Sequence, residues 1–178
     1  MAKLSLTVLL VVAFFSGISS ATDSPAGCSS ADYRVLDFWV GNWKVVNPKG
    51  QLEGHNRIEK VLKGCAIMEH WTDASGGQGK SLFYFQPITK SWKQVWVTDS
   101  GPIKEKSLLA DYPGPSVRFQ GELPRRNGSG TYLDRTTLSP EANGKVRQVI
   151  EVSLDGGKTW PAEYRWEGIY VKESGKSH

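Results

Sequence analysis

The chain has 178 residues, with 22 Lys and Arg against 18 Asp and Glu and a formal net charge of +4 at neutral pH. The two signs are interleaved along the sequence, which excludes the concentrated basic face that nucleic-acid binding requires. The length after a removable leader suits one domain.

Residues 1–21 read as a secretory signal peptide. Met1-Ala2-Lys3 is a short basic start, Leu4 to Ile18 is a nearly unbroken apolar run, and Ser19-Ser20-Ala21 offers the small residues a signal peptidase reads. The apolar run falls short of the roughly 18 residues a membrane span needs. No second run is long enough, so no membrane association is expected after cleavage, and the protein is expected to be secreted or periplasmic. Two cysteines, Cys28 and Cys65, remain in the mature chain. An even count in an oxidising compartment suggests one disulfide, worth roughly 3–4 kcal/mol by the chain-entropy argument. A buried Cys65 with a free Cys28 is the other possibility.

Residues 22–36 form a Ser/Pro/Gly-rich lead-in followed by a short helix that Ser30 or Asp32 could cap. Residues 37–172 form the domain proper, and 173–178 a polar tail. Leu36-Asp37-Phe38-Trp39-Val40-Gly41-Asn42-Trp43 opens the domain, and β-branched and aromatic residues with frequent turns follow. The expected strands after the first cover Gly54 to Leu62, Cys65 to Thr72, Lys80 to Gln86, Ser91 to Thr98, Ile103 to Ala110, Ser116 to Leu123, Thr131 to Leu138, Lys145 to Leu154 and Ala162 to Val171. Ten strands joined by short turns, with no long helical pattern, predict an all-β fold: an antiparallel up-and-down barrel, which removes edge strands, with a two-sheet sandwich as the alternative.

Alternation along each strand gives the inward face. Val117, Phe119, Gly121 and Leu123 share one parity, as do Val146, Gln148, Ile150 and Val152, Trp92, Gln94 and Trp96, and Tyr164, Trp166 and Tyr170. The stretches Met68-Glu69-His70-Trp71 and Leu133-Asp134-Arg135-Thr136 are not settled by alternation. Lys104 and Lys106, with Arg125-Arg126, are read as solvated strand faces and loops. The resulting interior is aromatic with sparse polar groups, the composition of a small-molecule cavity. Trp71, Tyr84, Trp92, Trp96 and Trp166 are expected to supply walls, and Glu69, Gln94, Arg135 and Gln148 to orient a small apolar or amphipathic ligand. The protein is expected to be a monomer or homodimer.

Gly41-Asn42-Trp43 is similar to the Gly-x-Trp that opens lipocalins and related calycin barrels, where the Trp plugs one end beneath a short N-terminal helix. Gly64-Cys65 leading into Glu69-His70-Trp71, Ser91-Trp92-Lys93-Gln94-Val95-Trp96, Gly144-Lys145-Val146-Arg147-Gln148 and Ser153-Leu154-Asp155-Gly156-Gly157-Lys158-Thr159-Trp160 extend the match. Together, from about Asp37 to Val171, they resemble a family of exported, mostly bacterial calycin-like proteins known as a domain of unknown function. The resemblance implies a lipocalin-like barrel and carries no activity. Nitrobindin-type haem barrels share the opening but need an inward histidine, for which His55, His70 and His178 are the candidates. No cofactor is expected. Ser153-x-Asp155-x-Gly157-x-Thr159-Trp160 also matches the Asp-box of sialidase propellers, and a single copy reads as a turn device.

The sequence shows no Ser/His/Asp or Cys/His nucleophile motif and no metal-ligand spacing. An enzyme on this barrel, an isomerase or cyclase, would use Glu69 or the neighbouring His70 as general base with Arg135 stabilising an anion. A simpler role for Glu69 is pairing with Arg135 or a tyrosine. A solid barrel that docks a partner on its surface is the remaining alternative.

Overall fold

The computed structural model describes residues 28–173. The expected signal peptide, the first part of the lead-in, the tail from 174 and His178 lie outside the described residues. Ten strands run in order: β1 Gly41–Val46, β2 Leu52–Val61, β3 Ala66–Asp73, β4 Gln78–Gln86, β5 Ser91–Thr98, β6 Ile103–Leu108, β7 Val117–Pro124, β8 Thr131–Pro140, β9 Val146–Ser153 and β10 Arg165–Lys172. Each pairs antiparallel with its sequence neighbours, and β1 pairs with β10 to close the ring. This is the all-β, up-and-down, ten-stranded barrel that the turn spacing predicts.

The short N-terminal helix takes the form of two 3-10 turns, Ala31–Arg34 and Asp37–Trp39. Ser30 stands at the first N-cap, but its side chain makes no capping bond. The last strand starts later than expected, because Ala162–Tyr164 forms a 3-10 turn behind Pro161. Proline fixes φ and has no N–H to give to a sheet. Tyr164 therefore leaves the face it was expected to share with Trp166 and Tyr170, and is exposed.

One end of the barrel is solid. Leu36, Trp39, Trp43, Val45, Phe83, Trp92, Phe119 and Tyr170 are buried there in one cluster. Trp43 donates its indole N–H to the Trp39 carbonyl at 2.8 Å, and Trp92 donates to the Asp32 carbonyl at 2.7 Å. Both indoles thus keep a polar partner while filling the plug. Trp39 meets Phe83 edge to face at 5.4 Å, and Phe83 meets Phe119 at 5.3 Å. Each such contact adds about 0.5–1.5 kcal/mol beyond area burial. A Cys28–Cys65 disulfide ties the lead-in to the connection between β2 and β3. Among the described residues, no helix is long and apolar enough to cross a membrane.

The Ser153–Trp160 segment behaves as a turn device. Asp155 accepts from the Thr159 amide at 2.9 Å, the Thr159 hydroxyl and the Ser153 hydroxyl, while the Gly157 amide donates to Ser153 Oγ. Those bonds, the Thr159 amide first, hold the Asp155 carboxyl well below the usual carboxylate range.

Candidate functional site

The other end of the barrel holds a cavity of about 350 Å³, inside the roughly 300–1,000 Å³ range of small-ligand pockets. A wholly solid barrel is therefore not what the chain forms. The cavity lies where β2 begins, β3 and β5 end, and β6 and β10 begin. Its walls are Trp71, Trp96, Trp166, Ile150 and Tyr170, with Glu53, Glu69, Asp73, Gln94, Lys104, Lys106, Thr136 and Gln148 among them.

The three tryptophans share a local device. A Cβ on Gly79 would stand 2.2 Å from the Trp96 ring, one on Gly168 2.4 Å from Trp166, and one on Gly54 2.7 Å from Trp71. Each indole lies across a backbone that carries no side chain, a known use of glycine inside a strand. Trp71 and Trp166 meet almost at right angles with centroids 6.4 Å apart, and the Trp166 N–H donates to Glu53 at 3.1 Å.

A polar network lies beneath them. Glu69 is buried and accepts from Asn56 Nδ2 at 2.7 Å and from the Ser81 hydroxyl at 2.6 Å. Gln94 Nε2 donates to Ser81 Oγ at 3.2 Å. Tyr170 accepts from Asn56 at 3.2 Å and donates to Gln148 Oε1. Burial pushes the Glu69 carboxyl up, against the lowering pull of its Ser81 and Asn56 bonds. Burial also pushes the Tyr170 phenol well up, helped by the Glu69 charge.

Lys106 is the residue the sequence reading misplaced most. Instead of a solvated strand face, its side chain is 2% exposed and pairs with Asp134, which is 0% exposed. It also donates to Thr136 Oγ1 at 2.6 Å. Lys104, the other half of the expected solvated pair, reaches the second Asp134 oxygen at 2.6 Å. Burial pulls the Lys106 amine down to about 8, with Asp134 working in the opposite direction.

Of the nine residues expected to bind a ligand, Glu69, Trp71, Gln94, Trp96, Gln148 and Trp166 come together around the cavity. The other three do not. Trp92 points inward but is buried in the plug. Tyr84 shares the outward parity of Lys80 and Gln86, since Phe83 and Phe85 take the inner face of β4. Arg135 lies outside the barrel, donates to Glu151 at 2.7 Å and stacks 3.7 Å over the Trp160 ring. It therefore neither pairs with Glu69 nor can stabilise an anion in the cavity. His70 also faces out, bonded to Glu59 at 2.8 Å, and His55 reaches Glu173. Neither reaches the interior, where a haem iron would need it. Among the described residues no group of three His, Cys, Asp or Glu is arranged to hold a metal ion.

The reading missed Glu53, Asp73, Lys104, Lys106, Thr136, Ile150 and Tyr170 as cavity lining, although the parities of Ile150 and Tyr170 already placed those two inside. For Lys106 the available signal was its shared parity with Leu108.

Compared with models of known protein families the chain matches none, and compared with curated proteins it again finds no match. Chemically, the cavity offers aromatic walls, a carboxyl that ionises reluctantly, and an amine that gives up its proton more readily than usual.

Proposed function

We propose that the protein is an exported binding protein that holds a small, largely apolar or amphipathic ligand in the open end of its barrel. The observation that carries this is the cavity itself: three tryptophans seated on glycines over a buried hydrogen-bonded base. Apolar walls with a few fixed polar groups are the usual form of a small-molecule site. The leader expected over residues 1–21 and the Cys28–Cys65 disulfide support secretion or a periplasmic location. The buried Trp43 plug supports placing the chain with the exported calycin-like barrels that it resembles.

Native mass spectrometry on protein secreted through its own leader is expected to detect a co-purifying small molecule, released on denaturation. Ile150 lies in the wall, so Ile150→Trp fills the space and is expected to lose that molecule while keeping the β circular-dichroism spectrum. Retention of the same molecule by the filled barrel would put the ligand elsewhere and overturn the reading.

A further inference from the structure

The cavity wall is asymmetric in how its charges are matched. Three carboxylates line it, Glu53, Glu69 and Asp73, and among the described residues none forms an ion pair with a lysine, arginine or histidine. The two lysines that line it, Lys104 and Lys106, are both engaged by Asp134. The three carboxyls facing the cavity thus have no direct ionic partner, only the through-space pull of Lys106 on Glu69, while both lysines are held by Asp134.

A second observation concerns hydrogen bonding. Ser81 gives its one proton to Glu69, so its oxygen can only accept from Gln94, which must present its amide nitrogen. Gln94 Oε1 is thereby left as an acceptor that no donor among the described residues reaches, in a residue only 6% exposed that lines the cavity. A buried acceptor without a donor is unfavourable. The tryptophans add a third element, since indole faces attract cations and do so more strongly when water is excluded.

We propose that the ligand is a protonated organic amine, with its apolar body against Trp71, Trp96 and Trp166 and its N–H groups donating to Glu69 and Gln94 Oε1. Glu53 and Asp73 supply further negative potential at the mouth. This rests on the reading that the barrel binds a small molecule, and specifies the chemical class of that molecule.

Isothermal titration calorimetry on the intact disulfide-bonded protein tests it with three probes on one ring system: 2-(2-naphthyl)ethylamine, 2-(2-naphthyl)ethanol and 2-naphthylacetate. The ammonium is expected to bind at least about ten-fold tighter than the alcohol, and the carboxylate weakest. In Glu69→Gln the preference for amine over alcohol is expected to shrink several-fold. Glu53→Gln, at the mouth, provides the same readout should the buried substitution prevent folding. If the alcohol or the acid binds as tightly as the amine, the amine assignment is overturned while the small-molecule reading stands. If none of the three binds at millimolar concentration, both fall.

Discussion

A methyl group on Gly79 would stand 2.2 Å from the Trp96 ring, with ordinary strand backbone at that position. Nothing but volume is at stake there, so Gly79→Ala isolates the packing of the tryptophan. We expect a loss of about 1–3 kcal/mol from overpacking, with a changed near-ultraviolet tryptophan signal, both measurable by denaturant titration. Unchanged stability and spectrum would mean that Trp96 does not lie across that glycine. Trp96 and Trp166 were legible in the sequence because Trp92 and Trp96 share one parity, as do Trp166 and Tyr170. Paired bulky aromatics mark the inner face even where Gln94 joins them and Val95 lies opposite, whereas Trp71 was not settled this way. The glycine seats of Trp71 and Trp96 were not legible, because Gly54 and Gly79 lie on neighbouring strands, whereas Gly168 sits two residues along the same strand from Trp166. Arg135 shows the limit at this scale. Asp134 and Thr136 turn inward to meet Lys106, so in Leu133-Asp134-Arg135-Thr136 charge does not mark the outer face.

β6 departs from the usual reading at two positions. Ile103 is 58% exposed while Lys106 is buried, so there hydrophobicity points to the wrong face, although Leu108 on the parity of Lys106 packs against the core. The pairing that makes this tolerable comes from Asp134 in β8, distant in sequence, so the parity shared with Leu108 gives the side of Lys106 but not its partner. The consequence is a pH dependence. Below about pH 8 the lysine is protonated in both folded and unfolded chains, and the folded state bears the burial of a charge. Between about 8 and the ordinary lysine value of 10.5 the unfolded chain binds more protons, so stability rises with pH. Relative to Lys106→Met, the wild-type melting temperature is therefore expected to climb from pH 8 to pH 10. A constant difference between the two proteins across that range would refute the burial of this charge. By contrast, the Ser153–Trp160 turn was readable, because the side-chain bonds of Ser153, Asp155 and Thr159 that shape it all lie within the segment.

At the scale of the molecule, the two ends of the barrel have different duties. The plug and the disulfide occupy one, the cavity the other. The Cys28–Cys65 bridge closes a sequence separation of 37 residues, for which loop entropy gives about 4 kcal/mol. The double substitution Cys28→Ser, Cys65→Ser is expected to lower unfolding free energy by about that amount in denaturant titrations, yet leave ligand affinity unchanged. A parallel loss of affinity would show that the two ends are coupled. Ring topology was legible from strand count and turn spacing, and the resemblance of Gly41-Asn42-Trp43 anticipated which end is filled. Closure has one more consequence. Nine of the ten strand pairings join consecutive strands, and each can form as a local hairpin. The tenth joins Trp43 to Lys172 and Val46 to Ile169, the first strand to the last. Long-range pairing of this kind is the slow part of β folding. A growing chain therefore exists as an open sheet with two free edges, and with no enclosed interior, until the final strand has been made.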